Sequence, residues 1–153
     1  MTSLLLTLAL AATSFQLSAQ SANVQTVMSN YAAFGKGDIP AILATLAPHC
    51  TWYHVGNPAI VPFAGTFSGP EEIGNKFFGA IPGAVQILSF EPSLRAEEGN
   101  TVITSVNIRG KSVATGKEYE NTVEMRWTFD AAGKVVDYKN IFNPAALEAA
   151  LTK

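Results

Sequence analysis

"TVEMRWTFDAAGKVVDYKNIF", residues 122–142, holds two runs in which apolar and polar residues alternate, separated by a short turn. Side chains of a strand point alternately to its two faces, so a period of two marks a strand with one covered face. In the first run Val123, Met125, Trp127 and Phe129 share the apolar face, opposite Glu124, Arg126 and Thr128. "DAAGK" supplies the turn. In the second run Val136, Tyr138, Asn140 and Phe142 lie opposite Asp137, Lys139 and Ile141. Asn140 is the odd member, an amide among apolar neighbours. A buried amide left without partners costs about 1–3 kcal/mol, so Asn140 is either tied to backbone or faced by a cavity.

Upstream, the same reading gives "AVQILSFEPSLRAE" (84–97) and "TVITSVNIRG" (101–110) as further strands, and extends the third to "EYENTVEMRWTF" (118–129), joined by "EGN" and "KSVATGK" turns. In the second of these Val102, Thr104, Val106 and Ile108 face inward. Before this meander the pattern is mainly helical. Val24, Val27, Met28, Tyr31 and Phe34 recur at helical spacing until "GKG" stops them. Asp38 then caps "IPAILATLA", with Pro40 in the first turn. "CTWYHV" (50–55) reads as a strand, with Trp52 and His54 on one face and Tyr53 on the other, leading into the Gly/Pro-rich loop "GNPAIVPFAGTFSG". "SGPEEIGNKFFGAI" predicts a third helix, with Ser68 and Glu71 at capping-box spacing. Glu71 and Glu72 therefore read as helix-start carboxylates and not as a catalytic pair. "NPAALEAAL" predicts a short final helix with Asn143 as cap and Pro144 at its first position. Helices followed by an antiparallel meander make an α+β fold, in one domain over residues 24–151.

Charged residues make up 14% of the chain, against about 25% in ordinary domains, and the net charge of -2 leaves no basic stripe to neutralise phosphates. Nucleic acid is excluded as a partner. The first charged side chain is Lys36, and "LLLTLALAA" (4–12) ahead of "TSFQLSAQSA" has the pattern of a signal peptide over residues 1–19, cleaved after Ala19. The alternative is an N-terminal helix extension. The apolar run is too short to span a bilayer, so the expected location is periplasmic or secreted, or cytoplasmic if the segment is kept. The single cysteine, Cys50, reads as a small buried hydrophobe. His49, Cys50 and His54 match no metal-ligand spacing, and no metal or cofactor is expected.

The order of a first helix, a "GD" helix start (37–38), "TWYHVG" (51–56), "PFAGTFSGPEEIGNKFF" (62–78) and a meander containing "WTFDAAGKVV" (127–136) resembles the SnoaL-like branch of the nuclear-transport-factor-2-like superfamily. The resemblance implies a curved antiparallel sheet wrapped by about three helices into a cone, whose open end admits a small, mostly apolar ligand, commonly in a homodimer. Its relatives include ketosteroid isomerases, polyketide cyclases and limonene-epoxide hydrolases, beside members that only bind or associate. The steroid isomerases' general-base Asp falls on His54, their oxyanion-hole Asp on Met125, and their oxyanion-hole Tyr on Asn30 or its neighbour Tyr31. Met125 cannot donate a hydrogen bond, so that apparatus is not retained. Many SnoaL-like relatives carry a His at Met125 and a Tyr-x-Asp pattern at Ile141 and Asn143, and both are absent. The epoxide hydrolases' Asp-Arg-Asp cluster would need Glu124, Arg126 and Asp137, which parity puts on the outer face.

Two readings follow. In one, the chain is a cofactor-independent pocket protein for a small hydrophobic molecule, with isomerase-, cyclase- or dehydratase-like proton transfer: His54 moves the proton and Asn140 or Asn30 holds a carbonyl. Its ligand contacts are Asn30, Tyr31, Trp52, Phe77, Val106, Met125, Trp127, Tyr138, Phe142 and Asn143. In the other, His54 is a hydrogen-bonded structural histidine, the aromatics fill the cone, and the chain is a dimeric association domain that pairs through its outer sheet face.

Overall fold

The pairing of the "KVVDYKNIF" segment decides the architecture, and it differs in one respect from a simple meander. In the computed structural model, which describes residues 20–153, the strands are β1 (Leu46–His54), β2 (Gly65–Ser68), β3 (Val85–Glu98), β4 (Thr101–Ser112), β5 (Glu118–Phe129) and β6 (Val135–Ile141). They form one sheet in the order β2-β1-β6-β5-β4-β3. β6 pairs antiparallel with β5 but parallel with β1, so the sheet is mixed and not wholly antiparallel. The signal-peptide segment, residues 1–19, lies outside the described residues. Among the described residues no helix is long and apolar enough to cross a membrane.

Helix α1 (Ala22–Gly35) starts at Ser21, whose side chain accepts from the Val24 amide, and buries Val24, Val27, Asn30 and Tyr31. Helix α2 (Ile39–Leu43) is capped by Asp38 as its sequence demands, but it is half the expected length. The chain leaves the helix because a distant partner takes its backbone. The Val135 amide donates to Thr45 O, and Leu46 pairs with Val135. β1 consequently starts four residues ahead of "CTWYHV". "GTFS", read as loop, becomes β2 because its backbone pairs with the free edge of β1.

The third helical segment is broken. A short α3 (Gly69–Glu72) runs into a π-helical turn (Ile73–Phe77), a 3₁₀ turn (Phe78–Ala80) and α4 (Ile81–Ala84). The π turn brings two successive side chains, Phe77 and Phe78, into the interior together, the kind of insertion that recurs at functional sites. The cap forms through Glu72 and not Glu71: its carboxylate accepts from the Ser68 amide at 2.7 Å, while the Ser68 hydroxyl caps nothing. Helix α5 (Ala145–Leu151) begins after Pro144, and Asn143 Oδ1 accepts from the Ala145 amide at 3.1 Å.

The inward parity of β4 and β5 holds: Val102, Thr104, Val106, Val123, Met125, Trp127 and Phe129 are all buried. In β6 a register irregularity beside Thr128 places Val135 opposite Phe129. Val135, and not Val136, therefore enters the core. Further irregularities between Ile87 and Ser89 and between Leu94 and Ala96 interrupt β3, and such bulges bend a strand and increase its twist.

Gly110 and Tyr119 face each other across β4 and β5, and the Tyr119 ring lies over the glycine so closely that a Cβ there would fall inside it. An aromatic ring covering a cross-strand glycine pins the register. Replacing Gly110 by Ala should cost about 1–3 kcal/mol of unfolding free energy in a denaturant titration. The loss should shrink in a Tyr119→Ala background; an equal loss in both backgrounds would mean that the ring is not the obstacle.

Candidate functional site

Register across the sheet assembles the site in two rows. The first runs Phe67, Trp52, Tyr138, Trp127 and Val102, and the second Gly65, His54, Asn140, Met125 and Thr104. The residues come from strands far apart in sequence, and only the parallel β1–β6 ladder puts Trp52 beside Tyr138 and His54 beside Asn140. Trp52 stacks on Tyr138 with ring centroids 3.8 Å apart and meets Trp127 edge-on at 5.5 Å. Such contacts add about 0.5–1.5 kcal/mol each beyond the area they bury.

Between these rows and the helices lies a cavity of about 90 Å³, or about 750 Å³ when its open mouth and the gaps in its walls are counted. The larger figure includes solvent at the mouth, so the site is a partly open slot. Its walls are almost entirely apolar, and no Asp, Glu, Lys or Arg lines it.

His54 is 6% exposed and ringed by Phe63, Phe77 and Phe142 at 5.1, 5.8 and 5.5 Å. Its Nδ1 lies 2.7 Å from the Val55 carbonyl oxygen. A carbonyl can only accept, so Nδ1 carries the proton, and in the neutral ring Nε2 presents a lone pair. Among the described residues no group bonds Nε2. Burial lowers the His54 pKa from 6.5 to about 4, against a smaller opposing effect of the Val55 hydrogen bond, so the ring is neutral at physiological pH.

Asn140 is buried beside it, and among the described residues its Oδ1 has no hydrogen-bond partner. Trp52 Nε1 is likewise buried without one. Asn30 is also buried, but its Nδ2 is committed to Thr45 Oγ1 at 2.9 Å, tying α1 to the start of β1. Tyr31 closes the base of the slot through a chain of hydrogen bonds. Trp127 Nε1 donates to the Tyr31 hydroxyl at 2.9 Å, which lies 2.6 Å from Thr104 Oγ1, and Thr104 Oγ1 donates to Met125 O at 3.4 Å. The tyrosine proton has two acceptors within reach, Thr104 Oγ1 and, at 3.5 Å, Met125 Sδ. Burial pushes the Tyr31 pKa up to about 12. Tyr31 is thus a neutral, internally satisfied brace.

Of the expected contacts, His54, Asn140, Asn30, Tyr31, Trp52, Phe77, Met125, Trp127, Tyr138 and Phe142 line the cavity. Val106 and Asn143 do not. Val106 lies in the inward row but is wholly covered, and Asn143 is exposed at the α5 cap. Arg126 pairs with Glu124 at 2.6 Å on the outer face, and Asp137 lies 3.9 Å from Lys139 instead of joining them. His49 is exposed and Cys50 buried, so the two do not converge with His54.

Residue-by-residue reading missed Phe63, which sits in an aperiodic loop, and Phe90, whose strand is irregular. It also missed Asn121, although Asn121 shares the parity of Val123 and Met125 and was open to the same argument.

Stability should report the state of His54. Between pH about 6.5 and about 4 the unfolded chain binds a proton that the folded chain refuses, so unfolding free energy should fall as pH drops through that window. The loss is about 3 kcal/mol at most. A His54→Phe variant should lose less over the same range in urea titrations. Identical pH profiles would show that the ring is not held neutral.

The SnoaL-like domain family matches residues 28–138. Among solved structures, the chain is similar to a nuclear-transport-factor-2-like protein of unknown function from Burkholderia pseudomallei, with 26% identity and a TM-score of 0.76 over 88% of this chain and 100% of that one. It resembles TerC, crystallized with polyporic acid, at 23% identity and a TM-score of 0.72 over 86% and 98% of the two chains. It also resembles a protein from Mesorhizobium loti provisionally described as a SnoaL-like polyketide cyclase, at 13% identity and a TM-score of 0.62 over 77% and 97%. No curated protein matches it. With the family matched over most of the chain and the mixed six-stranded sheet in place, the chain belongs to the SnoaL-like domain family, on the nuclear-transport-factor-2-like fold.

Proposed function

We propose that this chain binds a small, uncharged, mostly apolar molecule in the slot and moves a proton on it without metal or cofactor, as isomerases and cyclases do. The observation that carries the reading is the placing, inside an apolar slot, of a His54 Nε2 lone pair beside Asn140, whose Oδ1 has no partner among the described residues. His54 accepts the proton, and the Asn140 amide orients the ligand, its Nδ2 able to donate to an oxygen that gains charge and its Oδ1 to accept from a hydroxyl or N–H. The co-crystallization of TerC with polyporic acid and the cyclase description of the Mesorhizobium loti protein support a ligand-holding slot of this kind.

One observation favours the second reading, binding without turnover. A base with a pKa near 4 is weak at neutral pH, so His54 suits substrates that are themselves acidic, such as enols or phenols, better than inert C–H bonds. Deuterium uptake next to the carbonyl, followed by NMR over a panel of unsaturated ketones and lactones, separates the two readings. Uptake that falls by about 100-fold or more in His54→Ala supports catalysis. Uptake unchanged by the substitution removes the role of His54, and no uptake at all leaves a carrier.

A homodimer through the outer face belongs to the same proposal. Ile141 stands exposed there, opposite Glu124 of the neighbouring strand and close to the Glu124–Arg126 pair. Sedimentation equilibrium at micromolar concentration should give twice the chain mass, and Ile141→Glu should halve it; a monomer at all concentrations would exclude the pairing. Residues 1–19 are proposed as an export signal, with periplasmic or secreted location.

A further inference from the structure

The slot has a second polar group that the proposed chemistry does not use. Asn121 lies on the inward face of β5, half-buried, and lines the cavity. Among the described residues its side chain makes no hydrogen bond, and the same holds for the hydroxyl of Tyr119, two residues along the same face. Asn121 forms a rung with Ile108 and Phe90. All three are partly exposed, whereas the rung of His54, Asn140, Met125 and Thr104 is buried throughout. The cavity therefore has an inner end and an outer end. The rung between them on β5, Val123 with Val106, is apolar. Four residues of strand separate Asn121 from Met125, about 13 Å at about 3.3 Å per residue, and His54 lies two strands across from Met125 at about 4.8 Å per strand, so Asn121 and His54 stand about 16 Å apart on the sheet.

Resting on the ligand-slot reading above, we infer that the site selects a slender neutral molecule with a hydrogen-bonding group at each end. One end is an O–H or N–H that donates to His54 Nε2, and the other is a hydroxyl or carbonyl that meets the Asn121 amide. The inner group must be a donor, because the Val55 carbonyl holds the imidazole proton on Nδ1 and leaves Nε2 able only to accept. The outer group can be either donor or acceptor, because an amide offers both. Charge at either end is disfavoured, since no ionised side chain lines the slot to pair with it. An aromatic or otherwise flat middle suits walls built from Phe90, Phe142, Trp127 and Tyr138.

A set of rod-shaped probes tests this on the full chain by isothermal titration calorimetry. 4,4′-Dihydroxybiphenyl, whose oxygens lie about 10 Å apart, leaves about one hydrogen-bond length at each end of the span. It should bind about fivefold more tightly than 4-phenylphenol, and biphenyl-4,4′-dicarboxylate should bind at least about tenfold more weakly than either. In Asn121→Leu the ratio of diol to mono-ol affinity should fall to about one. An advantage that persists in Asn121→Leu would overturn the assignment of the outer end. Equal affinities in the unaltered protein would overturn the two-ended ligand while leaving the slot intact. No binding by any probe would overturn both.

Discussion

The parallel ladder between β1 and β6 is the constraint on which the rest of the structure depends. It joins segments separated by about half of the chain, and its pairs from Thr51–Asp137 to His54–Asn140 set which side chains meet in the interior. Trp52 finds Tyr138 through it, and His54 finds Asn140. It also explains two local departures from propensity. The helix-prone "LATLA" gives up its second half to extended backbone, and Thr45 O accepts from the Val135 amide instead of closing another helical turn. Tertiary pairing overrides helix propensity because propensity differences are a fraction of a kcal/mol per residue, whereas an unpaired buried backbone group costs more.

The slot inherits its chemistry from where polar groups are left over. Most inward-facing polar atoms are consumed by the fold itself. Asn30 is tied to Thr45, and Tyr31, Thr104 and Trp127 satisfy one another. His54 spends one ring nitrogen on Val55 and keeps the other, while Asn140 keeps an unpartnered oxygen. Buried polar atoms without partners are unfavourable in an empty site, so their survival next to a cavity is the physical argument for a ligand. The same burial that isolates His54 weakens it as a base, which ties the identity of the substrate to its own acidity.

Much of the site was legible because parity along a strand survives folding. Met125, Trp127, Tyr138 and Asn140 were placed inward from alternation alone, and all four line the cavity. Parity failed only where the register slips: the irregularity beside Thr128 exchanges Val135 for Val136. It also cannot tell a wall from a packed interior, so Val106 was assigned to a cavity that it does not reach. Phe63 and the outward turn of Asn143 belong to loop and cap geometry, which carries no period to read.

The amino-acid sequence by itself determined the α+β class, the family, the inward rows of β4 and β5 and the isolation of Asn140, because these follow from local alternation, capping and motif order. Tertiary structure alone decided that β1 runs parallel to β6, that the third helix opens into a π turn carrying Phe77 and Phe78 inward together, and that the cone narrows to a slot. Those outcomes depend on which distant backbone groups pair and how bulky side chains share one interior. No stretch of the chain carries either by itself.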